Sequence, residues 1–205
     1  MRQKTEQELF WEGQFGTDYT VRNRDLSQSR QPFFAEILKI TQGVQSICEL
    51  GPNRGENLNA LKAINPSLQL TGVEINPVAI EYLNAIAGVE AIHSSIQDFK
   101  TEQCYDLVFT SGVLIHLNQE DLPLVYQKMG DLSKRYVLIN EYYNHSPTEI
   151  PYRGNAGKLF KRDFAGEFLD LHNGLFSVAH YGFLWSRLHP AWDNTTWVLM
   201  EKNQH

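Results

Sequence analysis

ICELGPNRGENL (47–58) sets a short apolar run, Ile47, Cys48 and Leu50, directly against a loop that carries Gly51 and Gly55. A carboxylate, Glu49, sits inside that run one residue before its end. Past the loop the pattern changes period: GENLNALKAI (55–64) places Leu58, Leu61 and Ile64 at helical spacing and stops before Asn65-Pro66. Strand, glycine turn, helix is the first unit of an α/β domain, and the loop stands where the carboxyl end of the strand opens.

The same alternation continues outward. LQLTGVEI (68–75) reads as a second strand and PVAIEYLNAIA (77–87) as a helix with Pro77 at its first position. VEAIHS (89–94) and YDLVFTSGVL (105–114) are the third and fourth strands, EDLPLVYQKMGDLS (120–133) a helix and RYVLINEYY (135–143) a fifth strand. Strands separated by helices predict a parallel sheet with right-handed crossovers. The tail breaks the rhythm. After a helical pattern, KRDFAGEFLDLH (161–172), the runs FSVAHYGFLWSR (176–187) and TTWVLMEK (195–202) follow one another with only a short link, so they must pair antiparallel. The expectation is a single α/β domain over residues 1–205, a Rossmann-like seven-stranded sheet, mostly parallel with a C-terminal antiparallel hairpin. That is the layout of class I methyltransferases. Residues 1–33 and 142–165 fall outside the sheet, the first as an N-terminal lid and the second as an insertion covering a substrate.

Length and composition agree with one soluble domain: 205 residues, 42% apolar, formal net charge −6. An acidic balance disfavours a general nucleic-acid surface. No apolar run reaches the roughly 20 residues that cross a bilayer, and MRQKTEQELFWEG (1–13) lacks the apolar core of a signal peptide. Cys48 and Cys104 form neither a disulfide framework nor a metal pattern, so the expectation is buried, reduced thiols in a cytoplasmic protein, with no metal.

Spacing separates the two cofactor classes that use such a loop. The dinucleotide fingerprint G-x-G-x-x-G would need glycine at 51, 53 and 56, where the chain has Gly51, Asn53 and Glu56. The S-adenosylmethionine pattern, acid-x-G-x-G-x-G, would use 49, 51, 53 and 55, where the chain has Glu49, Gly51, Asn53 and Gly55. Asn tolerates positive φ better than most residues, so the loop can keep its shape. The chemistry agrees, because S-adenosylmethionine carries an ammonium and a sulfonium, which call for an anion and not for a pyrophosphate cradle. Glu56 at the head of the helix would repel a pyrophosphate. Glu74 ends the second strand, placed to accept the ribose hydroxyls, with Ile75 against the adenine. Ser95, Ile96 and Gln97 follow the third strand at the adenine edge, and Thr110 and Ser111 leave the fourth beside the methionine part.

Taken together, FWEGQFGTDYTVRN (10–23), GVEINP (72–77), SGVLIHL (111–117), NEYYNHSPTEIPYRG (140–154) and KLFKRDFAGEF (158–168) resemble the pseudaminic acid biosynthesis-associated methylases, class I S-adenosylmethionine-dependent enzymes found with surface-sugar pathways. The resemblance runs from about Phe10 to Lys202. It implies S-adenosylmethionine as cofactor, S-adenosylhomocysteine as product, and a small sugar-like acceptor.

Methyl transfer needs a nucleophile held at attack distance and a group to take its proton. His116 after the fourth strand, with an ordinary pKa of about 6.5, is the first candidate base; Glu141 at the end of the fifth strand is the second. Tyr142 and Tyr143 face the same crevice. Arg153, Lys158, Lys161 and Arg162 form a basic run among glycines and aromatics, suited to the phosphates of a nucleotide-linked sugar. In the N-terminal segment, Tyr19 and Arg22 are placed to meet the carboxylate end of the cofactor. Three rivals stay open from the residues alone: methylation of another small acceptor such as a carboxylate or phenol, a non-catalytic binder of the cofactor, and a dinucleotide oxidoreductase. The oligomeric state is not legible.

Overall fold

Hydrophobic strands fall where the alternation predicts them, in a computed structural model that describes residues 2–22 and 25–203. Asn23 of the N-terminal motif lies outside the described residues. Seven strands form one sheet in the order β3-β2-β1-β4-β5-β9-β8. The chain clusters into two compact units, Met1–Lys100 and Thr101–His205.

The first unit holds β1 (Ser46–Leu50), β2 (Gln69–Glu74) and β3 (Val89–His93), all parallel, with Glu49 level with Gly72 and Glu74 level with His93. β1 is buried at every residue, as a strand covered on both faces must be. The crossovers are α4 (Glu56–Ile64) and α5 (Pro77–Asn84). α5 starts where it does because the Asn76 side chain accepts from the amides of Val78 and Ala79 and Pro77 follows. It ends at Asn84, three residues before the apolar pattern does.

The N-terminal segment, expected as a lid without assigned structure, holds three helices among the described residues: α1 (Glu6–Glu12), α2 (Gln14–Arg22) and α3 (Ser27–Ile40). Thr5 and Glu8 close a capping box at the head of α1, a signal legible in TEQE (5–8). α3 has no such local cap, and Pro32 lies inside it. The backbone entering its head is held from a distance: Glu56 accepts from the amides of Asp25, Leu26 and Ser27 at 3.2, 3.0 and 2.8 Å. The acid expected to repel phosphate is therefore a cap for another helix.

The second unit holds β4 (Tyr105–Ser111) and β5 (Ser133–Glu141) in parallel, β5 against β9 (Thr195–Lys202) antiparallel, and β9 against β8 (Phe176–Leu184) antiparallel. α6 (Leu122–Leu132) makes the crossover. The terminal hairpin follows the sequence expectation. β4 stops at Ser111, earlier than predicted, because Gly112 turns with φ 69° into a 3₁₀ turn over Leu114–His116. The insertion at 142–165 contains its own hairpin, β6 (Thr148–Glu149) with β7 (Phe160–Lys161). α7 (Phe164–His172) consequently begins three residues later than expected, capped by Asp163, whose side chain accepts from the Gly166 amide. Both cysteines are free thiols: Cys48 is buried, but Cys104 is half-buried and not fully enclosed as expected. No helix among the described residues is long and apolar enough to cross a membrane.

Candidate active site

In the first unit the loop between β1 and α4 runs through three left-handed residues, Gly51 (φ 78°), Asn53 (φ 52°) and Gly55 (φ 80°). Asn53 therefore takes the glycine-like conformation its place in the pattern demands. Gly55 is needed twice over. A Cβ there would stand 2.6 Å from Leu83 Cδ2 and 2.7 Å from Ile86 Cδ1, so the loop lies flush on α5.

Glu49 and Glu74 close around this loop. Glu49 is 1% exposed; its Oε1 accepts from Asn57 Nδ2 at 2.6 Å, and Asn57 Oδ1 in turn accepts from Arg30 at 2.6 Å. Its Oε2 has no hydrogen-bond partner among the described residues. Burial raises its pKa to about 8, against the Asn57 bond and the charge of Arg30. A buried carboxylate with one bare oxygen is the kind of group that an incoming ammonium satisfies, so the residues fit the methyl donor. Glu74 is more fully used. Its Oε1 accepts from the Ile75 and Asn76 amides, each at 2.8 Å, and its Oε2 from the Asn53 amide at 2.8 Å. Of roughly four lone-pair positions on a carboxylate, three are taken. Burial raises its pKa, opposed by these amides. Glu74 is thus a clamp on the glycine loop, with one acceptor position remaining.

Ile75 is half-buried, and its carbonyl receives His93 Nε2 at 3.0 Å. Ile96 is buried. Ser95 Oγ holds the following turn, donating to Asp98 Oδ2 and accepting from the Asp98 amide, both at 3.1 Å. Asp98 and Glu8 share the Arg2 guanidinium, which, with the Thr5 amide, overcomes burial and brings Glu8 down to about 2.

The N-terminal helices are tied to this region through Asn76 and Arg54. Asn76 Nδ2 donates to the Trp11 carbonyl at 3.0 Å and to Thr17 Oγ1 at 3.3 Å, while its oxygen caps α5. Arg54, from the glycine loop, reaches the Thr20 carbonyl at 3.4 Å and stacks 4.0 Å above the Tyr82 ring. Tyr19 neighbours Thr20 on α2 and packs edge-on to Trp11 at 5.3 Å, within a cluster that includes Phe10 and Phe15. Arg22 is exposed, 6.0 Å from the Phe15 ring. Asn57, Arg30 and Asn76 had no role in the sequence reading. Asn76 carried a signal, Asn-Pro at a helix start; Arg30 carried none.

In the second unit the candidate residues gather beyond the carboxyl ends of β4 and β5. Glu141 is 2% exposed; its Oε1 accepts from the amides of Val113 and Leu114 at 3.0 and 3.1 Å, and its Oε2 has no hydrogen-bond partner among the described residues. Burial lifts its pKa to about 7, opposed by those two amides and, more weakly, by the Thr110 hydroxyl and the Ile115 amide. Thr110 is fully buried, and Ser111 Oγ accepts from Asn140 at 2.9 Å. His116 departs from the expected pKa near 6.5: burial lowers it to about 4, and its Nδ1 lies 2.6 Å from the Lys158 carbonyl.

The basic run does not act as one patch. Arg162 Nε pairs with Glu167 at 2.7 Å, and Glu167 also accepts from the Tyr126 hydroxyl at 2.9 Å. Lys158 is buried. Lys161 sits 5.2 Å from the Tyr142 ring, and Arg153, exposed and left-handed at φ 49°, lies 5.9 Å from the Tyr152 ring. Tyr143 is exposed and bridges to Arg162. A small pocket remains beside Glu141, lined also by Tyr143, Arg162, Asp163, Thr196 and Val198.

The fold has counterparts in known proteins. A family model described as a methyltransferase domain matches residues 47–135. Comparison with curated proteins gives no match. Among solved structures, the fold is similar to the magnesium protoporphyrin IX methyltransferase of Synechocystis PCC 6803 with bound S-adenosylmethionine, at 13% identity over 99% of this chain and 100% of that one, TM-score 0.68. It is similar too to the Burkholderia thailandensis 1,6-didemethyltoxoflavin-N1-methyltransferase, at 11% identity, 92% and 83% coverage and TM-score 0.66. A glycopeptide N-methyltransferase with S-adenosylhomocysteine aligns at 12% identity, 85% and 89% coverage and TM-score 0.65. Residues 47–135 thus match a methyltransferase-domain model, and the seven-stranded α/β fold is that of the methyltransferase structures named above.

Proposed function

We propose that the protein methylates a small-molecule acceptor, a sugar or nucleotide-linked amino sugar, with Glu141 as the group that takes the proton. S-Adenosylmethionine supplies the electrophilic methyl carbon. Glu49 offers its bare Oε2 to the ammonium, and Glu74, Asn53 and the two glycines shape the backbone around the nucleoside, with Ile75, Ser95 and Ile96 at the adenine side and Thr110, Tyr19 and Arg22 toward the methionine end. The observation that carries the assignment of the base is the state of Glu141: buried beside a small pocket, one carboxylate oxygen fixed by two amides, the other without a hydrogen-bond partner among the described residues, and a pKa near neutrality. A base works best when its pKa lies near the working pH. His116, at about 4, is a weaker base, and its ring is engaged by the Lys158 carbonyl; its role is to hold the insertion in place. Tyr142, Tyr143, Arg153 and Lys158 belong to the segment that would cover the acceptor, and the sugar class follows from the family resemblance and from this segment's aromatic and basic character. An amine is the easier nucleophile, because Glu141 need only collect the proton of an ammonium.

The test is turnover of S-adenosylmethionine to S-adenosylhomocysteine against a panel of amino sugars and sugar nucleotides, read by mass for the gain of one methylene unit. Transfer to an amino sugar, reduced a hundredfold or more in Glu141→Gln with unchanged cofactor affinity, is the expected result. Tight cofactor binding without turnover on any acceptor would make the protein a binder, and full activity of Glu141→Gln would remove that residue as base.

A further inference from the structure

The register of the last three strands carries the acceptor site further than the pocket. Glu141 pairs with Thr196, and Thr196 with Phe183; two residues along each strand, Ile139 pairs with Val198, and Val198 with Tyr181. Residues directly opposed in antiparallel strands send their side chains to the same face. Two rows therefore cross the sheet, Glu141–Thr196–Phe183 and Ile139–Val198–Tyr181. The first two members of each row line the pocket. The third members are aromatic and open: Tyr181 is 71% exposed and Phe183 57%.

The neighbouring packing explains why this face is bare. α7 covers only the beginning of β8, where Phe168 meets Phe176 at 5.0 Å. On the opposite face Trp197 lies over Gly182, where a Cβ would come within 2.7 Å of its ring, and stacks on His180 at 5.4 Å and 8°. One face of the strand end is filled; the other presents two rings.

We propose that the acceptor has two parts, a planar unsaturated ring that stacks on Tyr181 and Phe183 and a reacting group that reaches Glu141. This rests on the methyltransferase reading of the site. β8 lies two strand spacings from β5, so the parts are about 10 Å apart. Rigid aromatic faces hold planar rings at small entropic cost and with little demand on ring identity. Just beyond the end of β8, Arg187 lies 5.9 Å from the Trp185 ring. A second copy of the chain fits the face less well. The two rings expose on the order of 300 Å² together, against roughly 800 Å² per partner in a stable interface. The shared chemistry is an aromatic ring, whether the base of a nucleotide or an aryl group.

The experiment is calorimetry with uridine diphosphate, phenyl β-glucoside and glucosamine, on the wild type and on Tyr181→Ser/Phe183→Ser. Both residues are exposed, so the double variant should keep the wild-type melting temperature. The expected result is that uridine diphosphate or the phenyl glycoside binds at least tenfold tighter than glucosamine, and that the double variant loses the difference. Binding of uridine diphosphate but not the aryl sugar identifies a nucleotide; the reverse identifies an aryl acceptor. No preference for either ring compound, an undiminished preference in the double variant, or a wild-type dimer in sedimentation that the double variant dissolves would overturn the proposal. S-Adenosylhomocysteine is titrated into the same proteins. Its failure to bind the wild type would remove the methyl-donor reading, while the ring preference would still be read independently.

Discussion

His116 Nδ1 sits 2.6 Å from the carbonyl oxygen of Lys158, forty-two residues on in the chain. A carbonyl can only accept, so Nδ1 carries the proton and the neutral ring presents Nε2 as an acceptor. The bond joins the turn after β4 to the insertion between β5 and α7.

On the proposed reading this bond makes His116 a positioning residue, with a defined pH signature. Its folded pKa of about 4 lies below the ordinary 6.5, so between those values the unfolded chain binds more protons and stability rises with pH. The contribution is complete above about 6.5 and lost toward pH 4, by roughly 3 kcal/mol. His116→Ala should flatten that acid limb in urea unfolding between pH 4 and 7, and lower turnover without moving the pH–rate limb expected near 7 if Glu141 is the base proposed above. A limb that moves would restore His116 as the base.

Glu49 couples cofactor binding to protons. Burial holds it near 8, so at pH 7 it is mostly protonated until a cation arrives and favours the charged form. S-Adenosylhomocysteine, which keeps the ammonium, should release close to one proton on binding at pH 7, seen as a dependence of the calorimetric enthalpy on buffer ionisation. Affinity should rise with pH up to about 8. Glu49→Gln should abolish the proton release and weaken binding about tenfold to a hundredfold; a wild type that releases no proton would separate Glu49 from the ammonium.

Glu74 and the Asn53 amide form a clamp at 2.8 Å. Glu74→Ala should raise hydrogen exchange at that amide and weaken S-adenosylhomocysteine by about 1–3 kcal/mol. Because three backbone amides already occupy the carboxylate, part of this loss comes from the loop and not from a missing ribose contact. Undisturbed exchange with weakened binding would assign the whole effect to the ribose.

The backbone of the loop can be tested through stability. Asn53→Gly should be neutral or stabilising by up to about 1 kcal/mol, because φ 52° costs a side chain and not glycine. Gly55→Ala meets both a left-handed φ and two side chains under 3 Å away, and should cost about 2–3 kcal/mol. Equal melting temperatures for Gly55→Ala and the wild type would contradict the packing described for α5.

Asn76→Ala removes one side chain that serves two structures. The cap of α5 should account for about 1 kcal/mol, and the lost bonds to Trp11 and Thr17 should free α1 and α2 for cleavage in limited proteolysis. Cleavage unchanged from the wild type would show that the aromatic cluster alone holds these helices.

Element identity was legible wherever it is written in local period. SICEL, flanked by turn residues, could only be a buried strand, and TTWVLMEK is β9 to the residue. Asn53 could be assigned a left-handed backbone because an acid and two glycines frame it at fixed spacing. Ends were less legible, since a helix or strand stops where a partner appears: β4 stops for Gly112, and α7 waits for β7 and Asp163. α3 was not legible at all, because its cap is Glu56 and not a neighbour in the chain.

What the sequence determined by itself, then, is the α/β alternation, the antiparallel tail and the acid-and-glycine loop, because each depends on residues within a few positions of one another. Tertiary structure alone decided what the polar groups do. Whether Glu141 or His116 titrates near neutrality depends on burial and on amides and carbonyls brought from elsewhere. Whether Glu74 or Arg162 is open to a ligand depends on partners that only folding supplies, and hydrogen-bond capacity is finite, so a group already satisfied within the fold has little left for a substrate.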